Sequence, residues 1–429
     1  MLTIILLVII VGFVLLVAIP YITRETRVGD VLVLGDDDLP PDFDESLFRR
    51  HFEVLCGCRL YEGNQIEILL NGEQTYDRII EEIGRAEKSI SWHVFYYRRG
   101  KLADRVREAL IERARAGVVV NFLHDFFGAD GLRGEYLDGM REAGVNINVF
   151  RPVKWNLLYK IGQRMHIRAV VIDGKIAFTG GFGIDDRWMG DGKSEGCWRD
   201  TNVRIEGPAV DQLQGAFIAN WAEASACLLM GEDLFGKTDG DEERPGDITA
   251  GLMHTDPSIG STNAERFFIL SIAAARHSIW ITTPYFVPDD DFRDLLMKAA
   301  ERGVDVRILD PGSNTDQKPA FFAGRAHFEE LMEAGIRIYE YQPTMIHAKT
   351  MVVDGKWGYI GTVNFDNRSM MLNDEVALVY TSGDIGGQLV RIFNDDLSRA
   401  KEINLDEFRK RPLWQKVTEQ LSRTVSHIL

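Results

Sequence analysis

The sequence is poor in cysteine and has no excess of basic residues, and both shortages argue against classes of function. Its four cysteines form no pair of Cys-x-x-Cys motifs, and Cys56-x-Cys58 is tighter than structural zinc sites use, so no metal site is predicted. In 429 residues they are expected to be free thiols on the reducing side of a membrane. The formal net charge is −16, whereas nucleic-acid-binding proteins are more often basic because Lys and Arg contact phosphates. No nucleic-acid partner is therefore expected.

A cleavable signal peptide is not expected either, although the chain contains one long apolar run. Leu2–Ile22 carries no charge and is long enough to cross the core of a bilayer. It lacks the basic n-region and the small-residue cleavage site of a signal peptide. Arg24 and Arg27 follow it, and the positive-inside rule then puts the rest of the chain in the cytoplasm. We expect a single-pass anchor over residues 1–23; a buried core helix is the alternative.

Two stretches of the chain repeat one pattern. Residues 165–183 read MHIRAVVIDGKIAFTGGFG, and residues 346–364 read IHAKTMVVDGKWGYIGTVN. Two unrelated hairpins would not be flanked by further matching blocks in the same order, so the chain is predicted to contain a duplicated unit. These blocks are Ser89-Ile90 with Ser278-Ile279, 116–120 with 302–306, and 142–145 with 333–336.

Strand and helix patterns alternate within each repeat. In the first, β-rich runs over 65–70, 89–97 and 118–123 are separated by helical periodicity over 75–86 and 102–116. The alternation predicts an α/β fold: two repeated α/β/α units with mixed, largely parallel sheets, packed about a pseudo-twofold axis, after an N-terminal transmembrane helix. The predicted boundaries are 1–23 for the anchor, 24–64 for an acidic linker and the segment leading into the first repeat, 65–230 for that repeat, 231–251 for a Gly-rich acidic linker, and 252–429 for the second repeat.

Each motif is predicted to form a β-hairpin around an Asp-Gly pair, which is a strong turn signal between two apolar runs. With Asp354 and Gly355 as the two turn residues, His347 lies opposite Thr362. Asp173 holds the equivalent turn position in the first copy. Both aspartates then lie far from the histidines, at turns that their side chains suit, and are predicted to be structural.

The second hairpin collects side chains that suit a phosphate. Strand alternation puts His347 and Lys349 on one face, beside Thr362 and Asn364. An imidazole, an ammonium, a hydroxyl and an amide can bind phosphodiester oxygens and transfer protons to them. If the two repeats meet at a pseudo-twofold axis, His166 of the first copy reaches the same phosphate.

The pattern His-x-Lys-x4-Asp-x6-Gly-Ser/Thr-x-Asn, present twice, resembles the motif of the phospholipase D superfamily. Residues 278–288 (SIWITTPYFVP), 339–343 (YEYQP) and 198–210 (WRDTNVRIEGPAV) are similar to those of bacterial cardiolipin synthases. The second copy fits the motif fully. The first has Arg168 where the family usually has Lys, which keeps a cation but as a planar fork, and Gly183 where it usually has Asn, which loses an amide contact. His93 is a further departure, at a position where the family often has Glu.

The resemblance implies phosphodiester chemistry that needs neither a metal nor another cofactor. One histidine attacks phosphorus and forms a phosphohistidine, while the other protonates the leaving oxygen and then deprotonates the incoming alcohol; either histidine could be the nucleophile. A carboxylate should orient each imidazole, Glu375 being the candidate in the second half and Asp200 in the first. The predicted catalytic residues are His166, Arg168, His347, Lys349, Asn364, Glu375 and Asp200, and the predicted substrate contacts are Thr362, Gly181 and Tyr285.

The function implied is that of a phosphatidyltransferase in the bacterial inner membrane that makes cardiolipin from phosphatidylglycerol and a phosphatidyl donor. Phosphatidylglycerol, other phospholipids and the membrane are the expected partners. A phospholipase D that uses water would share every catalytic residue and stays open as an alternative. A nuclease on the same fold is disfavoured by the net charge. A non-catalytic lipid-binding protein with a decayed first site would be favoured only by Arg168 and Gly183.

Overall fold

The computed structural model describes residues 29–34, 39–129, 131–132, 134–155, 160–236, 244–257 and 261–423. Within these ranges the helices are α1 Ser46–Cys56, α2 Asn71–Arg85, α3 Lys101–Arg115, α4 Glu135–Glu142, α5 Val210–Ser225, α6 Asn263–Ala274, α7 Asp290–Glu301, α8 Lys318–Arg325, α9 Phe328–Glu333, α10 Asn367–Met371, α11 Gly383–Leu397, α12 Leu405–Arg409 and α13 Leu413–Arg423. The strands are β1 Tyr61–Leu70, β2 Ser89–Val94, β3 Val119–Asp125, β4 Asn146–Phe150, β5 Ala169–Ile172, β6 Ile176–Gly180, β7 Thr201–Glu206, β8 Ile248–Thr255, β9 Ser278–Thr282, β10 Phe286–Val287, β11 Asp305–Asp310, β12 Arg337–Tyr341, β13 Thr350–Val353, β14 Trp357–Gly361, β15 Phe365–Asp366, β16 Glu375–Thr381 and β17 Ala400–Glu402.

The two halves of the chain have the same strand order. The first half runs β1-β7-β6-β5-β2-β3-β4, and the second runs β8-β16-β14-β13-β9-β11-β12 with β17 at its edge. The first strands of the halves, β1 and β8, pair antiparallel and join them into one 15-stranded sheet of described residues. The shared order confirms the duplicated unit that the matching motifs predict.

The expectation of largely parallel sheets is wrong. Parallel pairing is confined within the large sheet to β2-β3-β4 and β9-β11-β12 among the described strands, and its other neighbours pair antiparallel. Parallel neighbours need a crossover connection, which α3 and α4 supply in the first half. The motif strands β5 and β6 are joined by a tight hairpin instead, and a hairpin can only connect antiparallel neighbours.

Both predicted hairpins are present, but their register is shifted by one residue. Val353 pairs with Trp357, so the turn contains Lys356 as a third residue, and His347 is not opposite Thr362. Asp354 and Gly355 both adopt left-handed backbone angles, with φ of 50° and 68°. The first hairpin has the same register and turn length. An Asp-Gly pair therefore predicted the turn correctly, while the third turn residue displaced the ladder.

The two motif aspartates tie each hairpin to the neighbouring strand. The Asp354 carboxylate accepts hydrogen bonds from the backbone N–H groups of Arg276, His277 and Ser278, at the start of β9. Asp173 accepts the equivalent three bonds from residues 87–89, at the start of β2. These bonds occupy both carboxylates far from the histidines, in keeping with a structural role.

The two halves share part of one hydrophobic core. Helices α5 and α11 contribute Phe217 and Leu389 to a cluster that also contains Val203 of β7 and Leu378 of β16. The central motif strands β5 and β13 are buried at every residue, as their continuous apolar runs require. The repeats are thus held at a fixed relation through both sheet and core, which matters for a site built between them.

The predicted boundaries differ in detail from the observed elements. Helix α1 and the start of β1 lie within 24–64, and β8 begins at Ile248, inside the stretch 231–251. Among the described residues, no helix combines the length and apolar character needed to cross a bilayer. The predicted anchor over residues 1–23 lies outside the described residues.

Candidate active site

A cavity of about 440 Å³ is lined by both motif histidines. Its wall includes residues from the connections that leave β2, β3, β9 and β11 at the carboxyl ends of these parallel strands, where ligands of α/β sheets commonly bind. Of the predicted catalytic and substrate residues, five line it: His166, Arg168, Tyr285, His347 and Asn364. One cavity between the halves therefore receives a histidine from each repeat.

Backbone bonds between the repeats place the two histidines. The N–H of His166 donates to the carbonyl of Asp374 at 2.9 Å, and the N–H of His347 donates to the carbonyl of Arg199 at 2.7 Å. Asp374 and Arg199 immediately precede the two candidate carboxylates. Each motif is thus bound to the strand of the other repeat that carries a carboxylate.

The carboxylates accordingly pair across the repeats. Nδ1 of His166 lies 2.7 Å from Oε1 of Glu375, and Nδ1 of His347 lies 3.3 Å from Oδ2 of Asp200. The sequence assigned one carboxylate to each half, and in the structure each contacts the histidine of the opposite half. A carboxylate at Nδ1 keeps the proton on that nitrogen and leaves Nε2 with its lone pair.

Glu375 is held by a group of donors within the second repeat. The Thr362 hydroxyl donates to one of its carboxylate oxygens, and Ser369 Oγ and Asn373 Nδ2 donate to the other, at 2.9 and 3.3 Å. Thr362, a predicted substrate contact, is absent from the cavity wall, and its hydroxyl donates to Glu375. Burial raises the pKa of Glu375 well above its ordinary value.

Asp200 is held differently, because the first repeat has Gly181 where the second has Thr362. A Cβ at Gly181 would lie 2.4 Å from Oδ1 of Asp200, so the glycine makes room for the carboxylate and cannot bond to it. Gly181, also a predicted substrate contact, does not line the cavity. The indole Nε1 of Trp188 donates to Asp200 at 2.8 Å instead. Burial opposes ionisation of Asp200, but the bond with His347 and the charges of His347 and Lys349 outweigh it and lower its pKa.

Trp188 also explains the second departure of the first motif. A Cβ at Gly183 would lie 2.9 Å from Cη2 of Trp188, so the indole ring occupies the space beside position 183. The same ring meets the His347 ring edge to face, with centroids 5.3 Å apart. Sequence reasoning missed Trp188; the missing asparagine at position 183 was the one signal that another group fills that space.

Both imidazoles are shifted toward their neutral forms. Burial, then the positive charge of Arg168, lowers the pKa of His166 well below its ordinary value. Burial, then Lys349, lowers the pKa of His347 to about 4, although Asp200 acts in the opposite direction. A neutral imidazole has the free lone pair that a nucleophile or general base requires.

Two cations and an amide surround the histidines. Nε and Nη1 of Arg168 are buried without a hydrogen-bond partner in the described part of the chain, and so is Oδ1 of Asn364. Lys349 lies behind His347, where its Nζ donates to the His347 carbonyl at 2.7 Å, and it does not line the cavity. Burial, then the charge of Arg168, lowers the pKa of Lys349 to about 7. Unpaired buried N–H groups of a guanidinium at a cavity wall call for an anionic ligand.

Other wall residues come from outside the motifs. Tyr285, a predicted substrate contact, lies in the cavity wall, and its hydroxyl donates to Asp316 at 2.7 Å. Arg164 forms a buried ion pair with Asp125, its Nε and Nη2 lying 3.0 and 2.8 Å from Oδ2. Within the described ranges, no three His, Cys, Asp or Glu side chains group as ligands for a metal ion.

Comparison with known proteins identifies the family. A family model described as cardiolipin synthase, phospholipase D-like domain, matches residues 79–221 and 268–397, together more than half of the chain. The chain belongs to this family. The resemblance drawn from the two motifs is thereby confirmed, and each matched segment contains one motif histidine.

Curated relatives of the family align with most of the chain. Cardiolipin synthase 2 of Bacillus anthracis is 35% identical over 399 residues, which cover 90% of this chain and 77% of that protein. Cardiolipin synthase of Geobacillus kaustophilus is 38% identical over 369 residues, covering 86% and 73%. Among solved structures, phosphatidylserine synthase of Haemophilus influenzae superposes with a TM-score of 0.69 at 15% identity, over 89% of this chain and all of that one. At that identity the likeness concerns the fold alone.

Proposed function

We propose that this cardiolipin synthase family member is a membrane-bound phosphatidyltransferase that makes cardiolipin from phosphatidylglycerol and a phosphatidyl donor. The observation that carries the proposal is the pair of histidines on one cavity, each bonded to a carboxylate of the other repeat. The names of the curated relatives add the substrate class. We assign the protein to the bacterial inner membrane with its catalytic part in the cytoplasm, on the apolar run over 2–22 and the arginines that follow it.

The reaction proceeds in two displacements at phosphorus. Nε2 of one histidine, in its neutral form, attacks the donor phosphodiester and forms a nitrogen–phosphorus bond. The second histidine enters this step as an imidazolium, a form that the bound phosphodiester anion favours. It gives its Nε2 proton to the leaving alkoxide oxygen as the bond from that oxygen to phosphorus breaks, and it becomes neutral. The second histidine then removes the proton from a glycerol hydroxyl of phosphatidylglycerol. The new oxygen–phosphorus bond forms as the nitrogen–phosphorus bond breaks, and both histidines return to their first states.

The surrounding groups stabilise the charge that develops at phosphorus. Arg168 contributes the unpaired N–H groups at the cavity wall. Asn364 also lines the cavity and can donate from its Nδ2 amide group. A bound phosphodiester places an anion beside Lys349 and raises the pKa of that lysine, because an opposite charge nearby favours the ionised form. In the empty site, burial and then the charge of the same lysine lower the pKa of His347.

A product assay tests the proposal. Purified protein in mixed micelles with phosphatidylglycerol should yield cardiolipin and glycerol, and protein quenched in denaturing detergent at neutral pH should carry a phosphatidyl group on one of the two histidines. His166→Ala and His347→Ala should each abolish transfer, whereas His51→Ala, which removes an exposed imidazole, should not. Phosphatidic acid in place of cardiolipin would show that water is the acceptor, and the transferase assignment would then be wrong.

A further inference from the structure

The last described helix, α13, exposes apolar side chains and buries an acidic one, which is the opposite of the usual arrangement. Its Glu419 is buried, whereas Leu413, Trp414, Val417 and Leu421 are between 50% and 76% exposed. Positions 413, 417 and 421 recur every four residues and therefore form one stripe along the helix, with Trp414 beside it. A surface helix normally turns such a stripe toward the core, so this one faces outward toward a partner.

A buried ion pair sets this orientation. The Glu419 carboxylate accepts a hydrogen bond from Nε of Arg411 at 2.8 Å and lies 3.6 Å from Nε of Arg325. Arg325 also lies over the ring of Phe408, 4.8 Å from its centroid. If the helix turned to bury its apolar stripe, Glu419 would move away from Arg411 and Arg325. The charges left buried without a partner would be strongly destabilising. The outward stripe is thus a built feature of the fold.

One helix, α8, separates the helix that carries the stripe from the catalytic cavity. Helix α13 packs against α8, and Ala320 of α8 lines the cavity beside Gln317. At the first repeat, Phe127 lines the same cavity and is 47% exposed. Trp155, which lies between β4 and the first motif, is 92% exposed. Both halves therefore carry exposed apolar side chains, and that of Phe127 lies in the cavity wall.

We infer that the apolar stripe of α13 is inserted into the head-group region of a phospholipid bilayer and brings the cavity to the lipid surface. The inference rests on the proposed function, since a diester with two acyl chains reaches a protein cavity most readily from the bilayer that holds the chains. Interfacial helices bury an apolar face at the level of the head groups, and tryptophan is enriched at that level of the bilayer. Lys410 and Arg423, both exposed, stand near the two ends of the stripe and suit anionic head groups. The whole chain carries a net charge of −16, which does not attract it to anionic head groups. The attraction between this face and the bilayer therefore comes from burial of the apolar stripe.

Depth-resolved quenching in the full-length protein tests the contact directly. A fluorophore on Leu421→Cys, reconstituted into phosphatidylglycerol–phosphatidylcholine vesicles, should be quenched by brominated lipid. The matched control is Met230→Cys, an exposed apolar position after α5, which should not be quenched. The exposed native Cys227 provides the background that is subtracted from both. Absence of quenching at position 421 would overturn the inference. A doubled particle mass that Leu421→Glu abolishes would also overturn it, and would show that the stripe contacts a second copy of the chain.

An activity ratio tests the consequence. Transfer is measured on vesicles at limiting lipid and on short-chain phosphatidylglycerol dispersed as monomers. Replacing Leu413, Val417 and Leu421 by Glu should lower the vesicle-to-monomer rate ratio by on the order of tenfold or more, because each buried leucine-sized side chain contributes enough to change a binding constant about tenfold. Met230→Glu should leave the ratio unchanged. An equal loss on both substrates would contradict the inference, whereas a native protein inactive on both would refute the proposed function and leave the quenching result to decide the contact.

Discussion

Trp188 is predicted to have taken over the work of two missing groups in the first motif, and a double-mutant cycle can measure this. Its indole N–H reaches Asp200 at 2.8 Å, where the second repeat uses a threonine hydroxyl. Its ring edge stands 2.9 Å from where a Cβ of residue 183 would be, beside the position at which the family usually has asparagine. The perturbations are therefore Trp188→Phe, Gly183→Asn, and both together.

The magnitudes follow from those two contacts. Trp188→Phe removes a hydrogen bond to a buried carboxylate, worth about 1.5–3 kcal/mol, so the transfer rate should fall about 10- to 100-fold. Gly183→Asn alone forces a side chain into the ring and should reduce the free energy of unfolding by about 1–3 kcal/mol. In the double mutant the smaller ring leaves room for the amide. The double mutant should therefore lose less stability than the sum of the losses in the two single mutants.

A pH profile separates positioning from simple structural damage. The Trp188 bond helps to lower the pKa of Asp200, so its loss raises that pKa and should move the acid limb of the transfer rate to higher pH. The assays are thermal unfolding and transfer rate against pH for the four proteins of the cycle. Trp221→Phe is the control, because that tryptophan is buried against Phe217 in α5, away from the cavity. Additive stability losses, or an acid limb that does not move, would refute the assignment.

Three further predictions concern the crossed pairs and the cations. Glu375→Gln and Asp200→Asn should each lower the transfer rate by about 10²–10⁴-fold, because each carboxylate acts through the histidine of the other repeat. Adding Glu375→Gln to His166→Ala should cause no further loss. Near-normal rates in the single mutants would contradict the cross-repeat pairing. Arg168→Lys should keep a substantial transfer rate. Arg168→Ala should lower the steady-state transfer rate about 10- to 100-fold, because an anion in the cavity loses its charge-assisted hydrogen bonds. Since folding lowers the pKa of Lys349 from 10.5 to about 7, the unfolded chain binds the extra proton between these values, and stability should rise with pH across that window. Denaturant titrations should show that this part of the rise is absent in Lys349→Met, and equal slopes for both proteins would count against the shift.

Local patterns in the sequence determined the repeats, the two hairpins and the residues that carry the chemistry. Asp-Gly between apolar runs is a signal within a few residues of the turn, and it located both hairpins. The duplicated order of blocks predicted that two histidines would meet. These features depend on spacing and on the intrinsic preferences of a short segment, which a linear sequence records.

Only the tertiary structure decided how the halves meet. Glu375 contacts a histidine 209 positions away, and Asp200 one 147 positions away, so the crossed pairing follows from the closure of the two sheets rather than from any local spacing. The bonds that Asp173 and Asp354 make to another strand join segments that are more than 70 positions apart in the chain. The outward stripe of α13 depends on where Arg325 lies when Glu419 is buried. In each case a long-range contact selects among arrangements that the local sequence permits equally.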